Sequence, residues 1–367
     1  MKILIVNKLY SPWIGGVEKI VQQIAEGLNG KNELNIEVLC CQPFGRGEFE
    51  EVNGVKIYRA SSLGMLWGMP LSFDFFKLFK RIFQTVDIID LHYPFPLATL
   101  AYFIFKPKIK LIIHYHSDIV RQKVLEFLIR PIIFYTLKRA DKIIVSNQNV
   151  LKNSFYLKSF QQKCEIIPFG VDLDNFRRRA RKEIKKIREK YGKFILFVGR
   201  LSYYKGVEYL IDAMKDIESK LVIIGDGPTK KRLELKIKNL KIENKIYFLS
   251  AREEKDLINY YRACEVLVLP SIFKSEAFGL VLIEVMACGK PVISTELGTG
   301  TSFVNKDGIT GFVVSPRDSR SLSNAIRKII TNDKMTKKFG ENALNRAKEE
   351  FSLDKMLKKT IFVYQNI

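Results

Sequence analysis

Cysteine is scarce in this chain, with five residues in 367 and no two of them at a metal-type spacing. Adjacent Cys40 and Cys41 cannot plausibly bridge each other. A zinc-ribbon or disulfide-stapled architecture is thereby excluded, and a reducing cytoplasm is the expected compartment. No uninterrupted apolar run approaches the length of a membrane span. The opening residues 1–7 read as a first buried strand and not as the apolar core of a secretory leader. Acidic residues are outnumbered, 39 against 61 basic ones, which leaves a formal net charge of +22. Such a field attracts nucleotides, phospholipids, polyphosphates or nucleic acid alike. No helix-turn-helix, RNP-type or zinc-finger pattern turns it into a nucleic-acid claim. The Lys and Ile richness also suits an AT-rich or thermophilic source.

What is present is a regular alternation. Strand candidates fall at 2–7, 36–41, 55–59, 88–91, 110–114, 142–146 and 164–167, with helical patterns between them at 17–28, 71–84, 96–105, 123–138 and 147–157. Repeated strand–helix–strand order implies a parallel, doubly wound sheet. A Gly-, Pro- and Asp-bearing loop at 167–176 marks a boundary. The pattern then restarts with strands at 194–199, 221–224, 246–249 and 266–269, and closes with helical stretches at 319–331, 334–350 and 353–364. A length of 367 residues accommodates two ordinary domains.

The chemistry-bearing residues cluster at strand ends. Glu276 and Glu284 stand on either side of seven residues, just after the strand at 266–269. Ligands of open α/β sheets collect at such strand-to-helix junctions. Leu282, Ile283, Val285, Met286 and Ala287 are good helix formers, and Gly289 and Pro291 stop that helix. Eight positions make about two turns, so both carboxylates look the same way if the helix reaches back to Glu276. Gly279 lets backbone N–H groups at the helix start approach an anionic or hydroxyl-rich ligand. The plainer alternative, a capping Glu276 and a solvated Glu284, is not rejected by spacing alone. Arg200 follows a strand directly, with Lys205 five residues on and Gly206 opening a helix, the make-up of a diphosphate clamp. Gly15-Gly16 opens the first helix, where backbone N–H groups meet phosphate or sugar, although a tight turn explains the pair equally well. No G-x-G-x-x-G fingerprint is present. His116, one of only three histidines, ends another strand. Asp172 and Asp174 form a D-x-D inside the boundary loop, read as linker and not as metal ligands, and the basic run at 177–190 reads as a solvated helix.

The block Ser275-Glu276-Ala277-Phe278-Gly279-Leu280, continued by Glu284, Met286-Ala287-Cys288-Gly289-Lys290-Pro291-Val292-Ile293, resembles the signature of the family-4 retaining glycosyltransferases. The resemblance covers essentially the whole chain and is strongest between Arg200 and Val314. His116-Ser117-Asp118 and the Gly/Thr-rich loop at 299–305 are similar to bacterial surface-polysaccharide mannosyltransferases. What this implies is an α/β protein of GT-B fold, two Rossmann-like doubly wound domains facing across a cleft. The acceptor-side domain would span 1–170, the nucleotide-sugar domain 171–350, and a helix at 351–367 would return to the first domain.

The implied reaction moves a hexose, with GDP-mannose favoured, from a nucleotide-diphosphate sugar to a saccharide or lipid-linked saccharide acceptor. Arg200 and Lys205 would neutralise the diphosphate, and the Gly15-Gly16 loop would give it a backbone N–H. Glu276 with the N–H groups of Phe278, Gly279 and Leu280 would hold sugar hydroxyls, Glu284 the ribose, and His116 would orient the sugar. No protein nucleophile is apparent, so a front-face mechanism assisted by the leaving phosphate suits the family. No metal cofactor and no nucleic-acid partner are expected. Residues 77–83 and 121–139 mix cations with Phe, Leu and Ile, as interfacial helices do, so peripheral contact with the inner face of the cell membrane is expected. Two other classes stay open: a GT-B sugar-nucleotide epimerase, and a non-catalytic basic membrane- or nucleic-acid-binding protein on the same scaffold.

Overall fold

The buried apolar runs assemble into two separate sheets. The structure is a computed structural model that describes residues 1–13, 15–119, 123–177 and 180–367. Its contacts divide the chain into one unit of Met1–Phe169 with Asp354–Ile367, and a second of Gly170–Leu353.

The first unit holds β1 (Lys2–Val6), β2 (Asn35–Cys41), β3 (Glu48–Val52), β4 (Val55–Ala60), β5 (Met65–Leu66), β6 (Met69–Pro70), β7 (Ile88–Tyr93), β8 (Lys110–Tyr115), β9 (Lys142–Val145) and β10 (Cys164–Ile166). Eight of them form one sheet in the order β10-β9-β8-β7-β1-β2-β4-β3. Ile3, Leu4, Ile5 and Val6 are all fully buried, as expected of a central parallel strand covered on both faces. On β7 the alternation sends Ile89, Leu91 and Tyr93 into the apolar core and puts Asp90 and His92 on the opposite face. Tyr364, from the terminal helix Leu353–Gln365, donates its hydroxyl to Asp90 on that second face.

The second unit holds β11 (Phe194–Val198), β12 (Lys220–Ile224), β13 (Ile246–Leu249), β14 (Val266–Leu269), β15 (Val292–Thr295) and β16 (Gly311–Val314). They run in the order β13-β12-β11-β14-β15-β16, and every neighbouring pair is parallel. In both sheets the strand order reverses beside the unit's first strand, at β1 and β7 in one and at β11 and β14 in the other. That reversal opens a crevice outside the strands' carboxyl ends.

Several expectations are corrected. The first sheet is not wholly parallel, because β3 runs antiparallel to β4 at the edge. Its sequence, Glu-Phe-Glu-Glu-Val, gives no apolar run because no covering layer demands one. The helix expected over 71–84 starts at Asp74, where Ser72 Oγ accepts from Phe75 N–H, and its Phe79 and Ile82 are buried in the core. Those two residues are therefore core anchors, not an interfacial face. The helix expected over 147–157 stops at Asn153. The stretch read as a Gly/Thr loop contains a short helix, Gly300–Val304.

Candidate functional site

Beyond β11 and β14, two loops press together. After Arg200 the chain makes a single turn, Tyr203–Lys205, and Gly206 takes φ +63°. A Cβ at Gly206 would lie 2.1 Å from the Pro270 carbonyl oxygen, so only glycine allows this approach. The result is a pair remote in sequence: Lys205 Nζ sits 2.6 Å from Glu276 Oε2, with the two side chains 12% and 10% exposed. Burial, the largest single influence, pulls the lysine's pKa down, but the Glu276 charge, the neighbouring Tyr204 and the hydrogen bond to Glu276 together outweigh it, and the net shift is upward from the ordinary value. Ser271 Oγ donates to the same carboxylate oxygen at 2.8 Å. The ring of Tyr204 lies 5.5 Å from the ammonium.

The carboxylate's own backbone is held from the far side. Thr299 Oγ1 donates to the Glu276 carbonyl at 2.7 Å, and Gly300 N–H to the Ala277 carbonyl at 2.7 Å. Thr295 Oγ1 donates to the Ser271 carbonyl. Asn305 Nδ2 reaches Ser294 Oγ and the Phe312 carbonyl. The loop that resembles a specificity element is thus, in large part, a brace for the Glu276 turn. Arg200 is exposed, and its guanidinium has no partner among the described residues.

The two carboxylates do not share a helix face. The helix is Leu280–Ala287, and Gly279 before it takes φ +80°, so Glu276 lies outside helical geometry. Glu284 is buried and accepts from the Tyr261 hydroxyl at 2.8 Å. Burial, then the Glu284 charge, pushes that phenol well above its usual pKa. Phe278 and Gly279 are buried and Leu280 is half-buried. Sequence reasoning missed Ser271 and Tyr261, and took Thr299 only as part of a Gly/Thr-rich loop. The available signal was weak: Ser271 stands two residues beyond a fully buried strand.

In the first unit, Gly16 begins the helix Gly16–Leu28, and Gly15 is its cap without a side-chain bond. Glu18 is buried in that first turn, 3.9 Å from Lys8 Nζ. A carboxylate is favoured at a helix N-terminus, so an arriving anion meets a place already partly neutralised. All three histidines gather on one face of β7 and β8. His114 Nδ1 meets Asp90 Oδ1 at 2.7 Å, His114 and His92 stack with centroids 4.5 Å apart, and His92 Nδ1 lies 2.9 Å from His116 Nε2. His92 Nε2 and His116 Nδ1 have no partner among the described residues. Asp90, His92 and His114 bring ligand-type atoms within 4.8 Å of one another. Both Asp90 oxygens are already engaged, by His114 and by Tyr364, so the donor set does not fit a resident cation well.

Residues 14–175 match the family described as Glycosyltransferase Family 4, and residues 178–346 the one described as Glycosyl transferases group 1. The chain is 31% identical to the O-antigen chain mannosyltransferase C of Escherichia coli, over 100% of this chain and 99% of the relative. It is 32% identical to the D-rhamnosyltransferase WbpZ of Pseudomonas aeruginosa, over 96% of this chain and 92% of the relative. Among solved structures, sucrose-phosphate synthase of Thermosynechococcus elongatus is similar with a TM-score of 0.85 at 22% identity, covering 100% of this chain and 98% of that one. HepE of Anabaena in complex with UDP has a TM-score of 0.80 at 21% identity, covering 100% of both. At those identities the likeness concerns fold alone, and the fold is GT-B.

The histidine cluster gives a pH test. Burial, then the neighbouring His114 charge, depresses His116 to about 3, and burial likewise holds His92 well below the ordinary imidazole value. Protons therefore bind the unfolded chain first. Stability is full above the ordinary pKa of about 6.5 and is lost as pH falls from there toward the depressed values. Each such histidine gives a slope of up to roughly 1.4 kcal/mol per pH unit in that window. Urea unfolding of wild type and His116→Gln between about pH 6.5 and 5 should show wild type losing more stability on acidification. Parallel loss in the two proteins contradicts a buried neutral His116.

Proposed function

The chain belongs to the family 4, group 1 glycosyltransferases, and on that premise we propose that it is a retaining mannosyltransferase that uses GDP-mannose. It transfers a sugar from a nucleotide sugar, and the O-antigen chain in the name of one relative supports polysaccharide synthesis as the setting. The finer reading adds a saccharide or lipid-linked saccharide as acceptor. The observation that carries it is the buried Lys205–Glu276 pair at the β11–β14 reversal, with the exposed Arg200 guanidinium on the same loop as the lysine. The names of the mannosyl and D-rhamnosyl relatives support a manno-configured sugar, since D-rhamnose is 6-deoxymannose.

In this reading the diphosphate is met by Arg200, whose planar fork grips two oxygens, and by Lys205 as a compact charge. Lys205 already stands against Glu276, so part of the cost of orienting it is met before the donor arrives. Glu276 turns its carboxylate to sugar hydroxyls, oriented by Ser271. The N–H groups near Phe278, Gly279 and Leu280 lie at the start of a helix and face the same anionic ligand. Glu284 serves the ribose only by sharing its carboxylate with Tyr261. In the first unit, His116 offers its Nδ1, without a partner among the described residues, to a hydroxyl-bearing ligand, and Gly16 its backbone N–H to an anionic one. An ion-paired Glu276 is a poor nucleophile, which favours front-face displacement with the leaving phosphate assisting. No metal takes part in this scheme, and the cations do its work.

Peripheral membrane contact belongs to the same proposal, on the cytoplasmic side. Among the described residues no helix is long and apolar enough to cross a membrane. Of the two segments expected to lie at an interface, 77–83 and 121–139, residues 121 and 122 fall outside the described residues. The helix Lys123–Arg139 exposes Val124, Phe127 and Leu128 on one face, at 79%, 65% and 68%, with Arg130 over the Phe127 ring.

Thermal shift against a panel of nucleotide sugars tests the donor. GDP-mannose at about a hundred times its Kd should add roughly 2.7 kcal/mol of stability, and stabilisation by UDP-sugars alone would sink this choice. A second assay compares turnover in excess EDTA and with added Mg²⁺ or Mn²⁺. Wild type should be indifferent to both, and Arg200→Ala should lose on the order of a hundred-fold, or about 2 to 4 kcal/mol of transition-state stabilisation. Activity abolished by EDTA and restored by metal, with Arg200→Ala nearly normal, would show the clamp to be wrong.

A further inference from the structure

An apolar protrusion stands at the carboxyl end of the first unit's sheet and has no part in the donor chemistry. β4 ends at Ala60, and the chain then folds into the ribbon β5–β6 before the helix Asp74–Ile82. The ribbon pairs Met65 with Pro70 and Leu66 with Met69, and the ladder extends to Leu63 and Leu71. Its base is pinned by the antiparallel bridge between Gly45 and Ser62, which sets Phe44 beside Leu63. A short ribbon of this kind ordinarily hides its apolar side chains against a core. This one displays them: Phe44 is 76% exposed, Leu63 72%, Leu66 46%, Trp67 68% and Phe73 80%. At the tip, Trp67 takes φ +51° and Gly68 φ +81°, the backbone of a turn that prefers Asn-Gly. An indole in the left-handed region is strained.

We propose that this hairpin inserts into the headgroup layer of an anionic bilayer and seats the first unit on it. The proposal rests on the reading of a transferase whose acceptor is lipid-linked. Consecutive Met65 and Leu66 are both exposed, so both faces of the ribbon are apolar. One flat protein surface covers one face; a fluid interfacial layer surrounds both. Arg46, Lys77, Lys80 and Arg81 are exposed on the flanking loop and helix, the complement of anionic headgroups. Of the nearby acids, Asp74 accepts from Ser61 N–H, Glu50 pairs with Arg59, and exposed Glu48 accepts from the Gln42 amide. The hairpin follows the same strand ends that carry the Gly15 loop and His116, so its insertion brings those loops toward a lipid-borne acceptor.

The chain has two tryptophans, so Trp13→Phe leaves Trp67 as sole reporter. Its emission is recorded with vesicles of phosphatidylcholine alone, of phosphatidylcholine with phosphatidylglycerol, and of the latter with brominated acyl chains. The expected result is a blue shift on the anionic vesicles and quenching by the brominated ones. Joint Leu66→Ser, Trp67→Ser and Phe73→Ser should weaken co-sedimentation with anionic vesicles by about tenfold or more. GDP binding and transfer to a short water-soluble acceptor should stay at the wild-type level in that variant. Absence of vesicle binding, binding with unchanged Trp67 emission, or a triple variant that sediments like wild type overturns the proposal; a hairpin that docks on a protein gives the first or second of these. The lipid readouts need no sugar nucleotide, so a failure of donor binding strikes the transferase reading and leaves this one standing.

Discussion

The contact between Lys205 and Glu276 is the constraint around which the second unit's site is built. Neither charge is tolerated alone at that depth: removing one partner of a buried pair costs about 3–5 kcal/mol, because the other is left uncompensated. The contact therefore holds only if several things are right together. β11 and β14 must be neighbours, Gly206 must let the lysine loop close on Pro270, and Thr299, Gly300 and Thr295 must hold the backbone of the glutamate turn. Ser271 then completes the carboxylate's shell. Residues from three separate stretches of chain are tied by one short ionic contact.

In the proposed reading, the same contact keeps a cation ready for a leaving group. A free lysine on a loop would have to be ordered as charge develops; one already held by a carboxylate needs only to be shared or handed over. On that reading a diphosphate, with more charge than one carboxylate, would compete for the ammonium, while Arg200, exposed and without a partner among the described residues, would be available from the start. The first unit uses a different strategy. Its three histidines are buried and tied to one another and, through Asp90, to Tyr364 of the terminal helix, so their orientation is set by packing and not by solvent.

The fold and the family were legible because the signals were local. Fully buried parallel strands read as apolar runs, and the block around Glu276 is long and ordered, so the sheets and the GT-B class could be read from them, and Arg200, Lys205 and Glu276 were singled out beside strand ends. What stayed hidden depended on distance or on exposure. Nothing local says that Tyr261 bonds Glu284 or that Lys205 meets Glu276. The sequence left open whether the helix reaches back to Glu276, and the left-handed backbone at Gly279 excludes Glu276 from it. β3 and the β5–β6 ribbon gave no periodic signal, since neither has a covering layer that would impose one. For the helix Asp74–Ile82 the mixture of cations and aromatics suggested an interface, but its buried aromatics face the core.

Titration calorimetry of GDP binding to Glu276→Gln and Lys205→Met tests most directly whether the ammonium is shared between glutamate and diphosphate. Neutralising Glu276 frees Lys205 and removes a negative charge beside the phosphates, so GDP should bind Glu276→Gln more tightly than wild type, by roughly tenfold or about 1.4 kcal/mol. Lys205→Met should bind it more weakly by a similar factor. Equal weakening in both variants would mean that Glu276 supports the nucleotide site structurally and that Lys205 is not shared between the two anions.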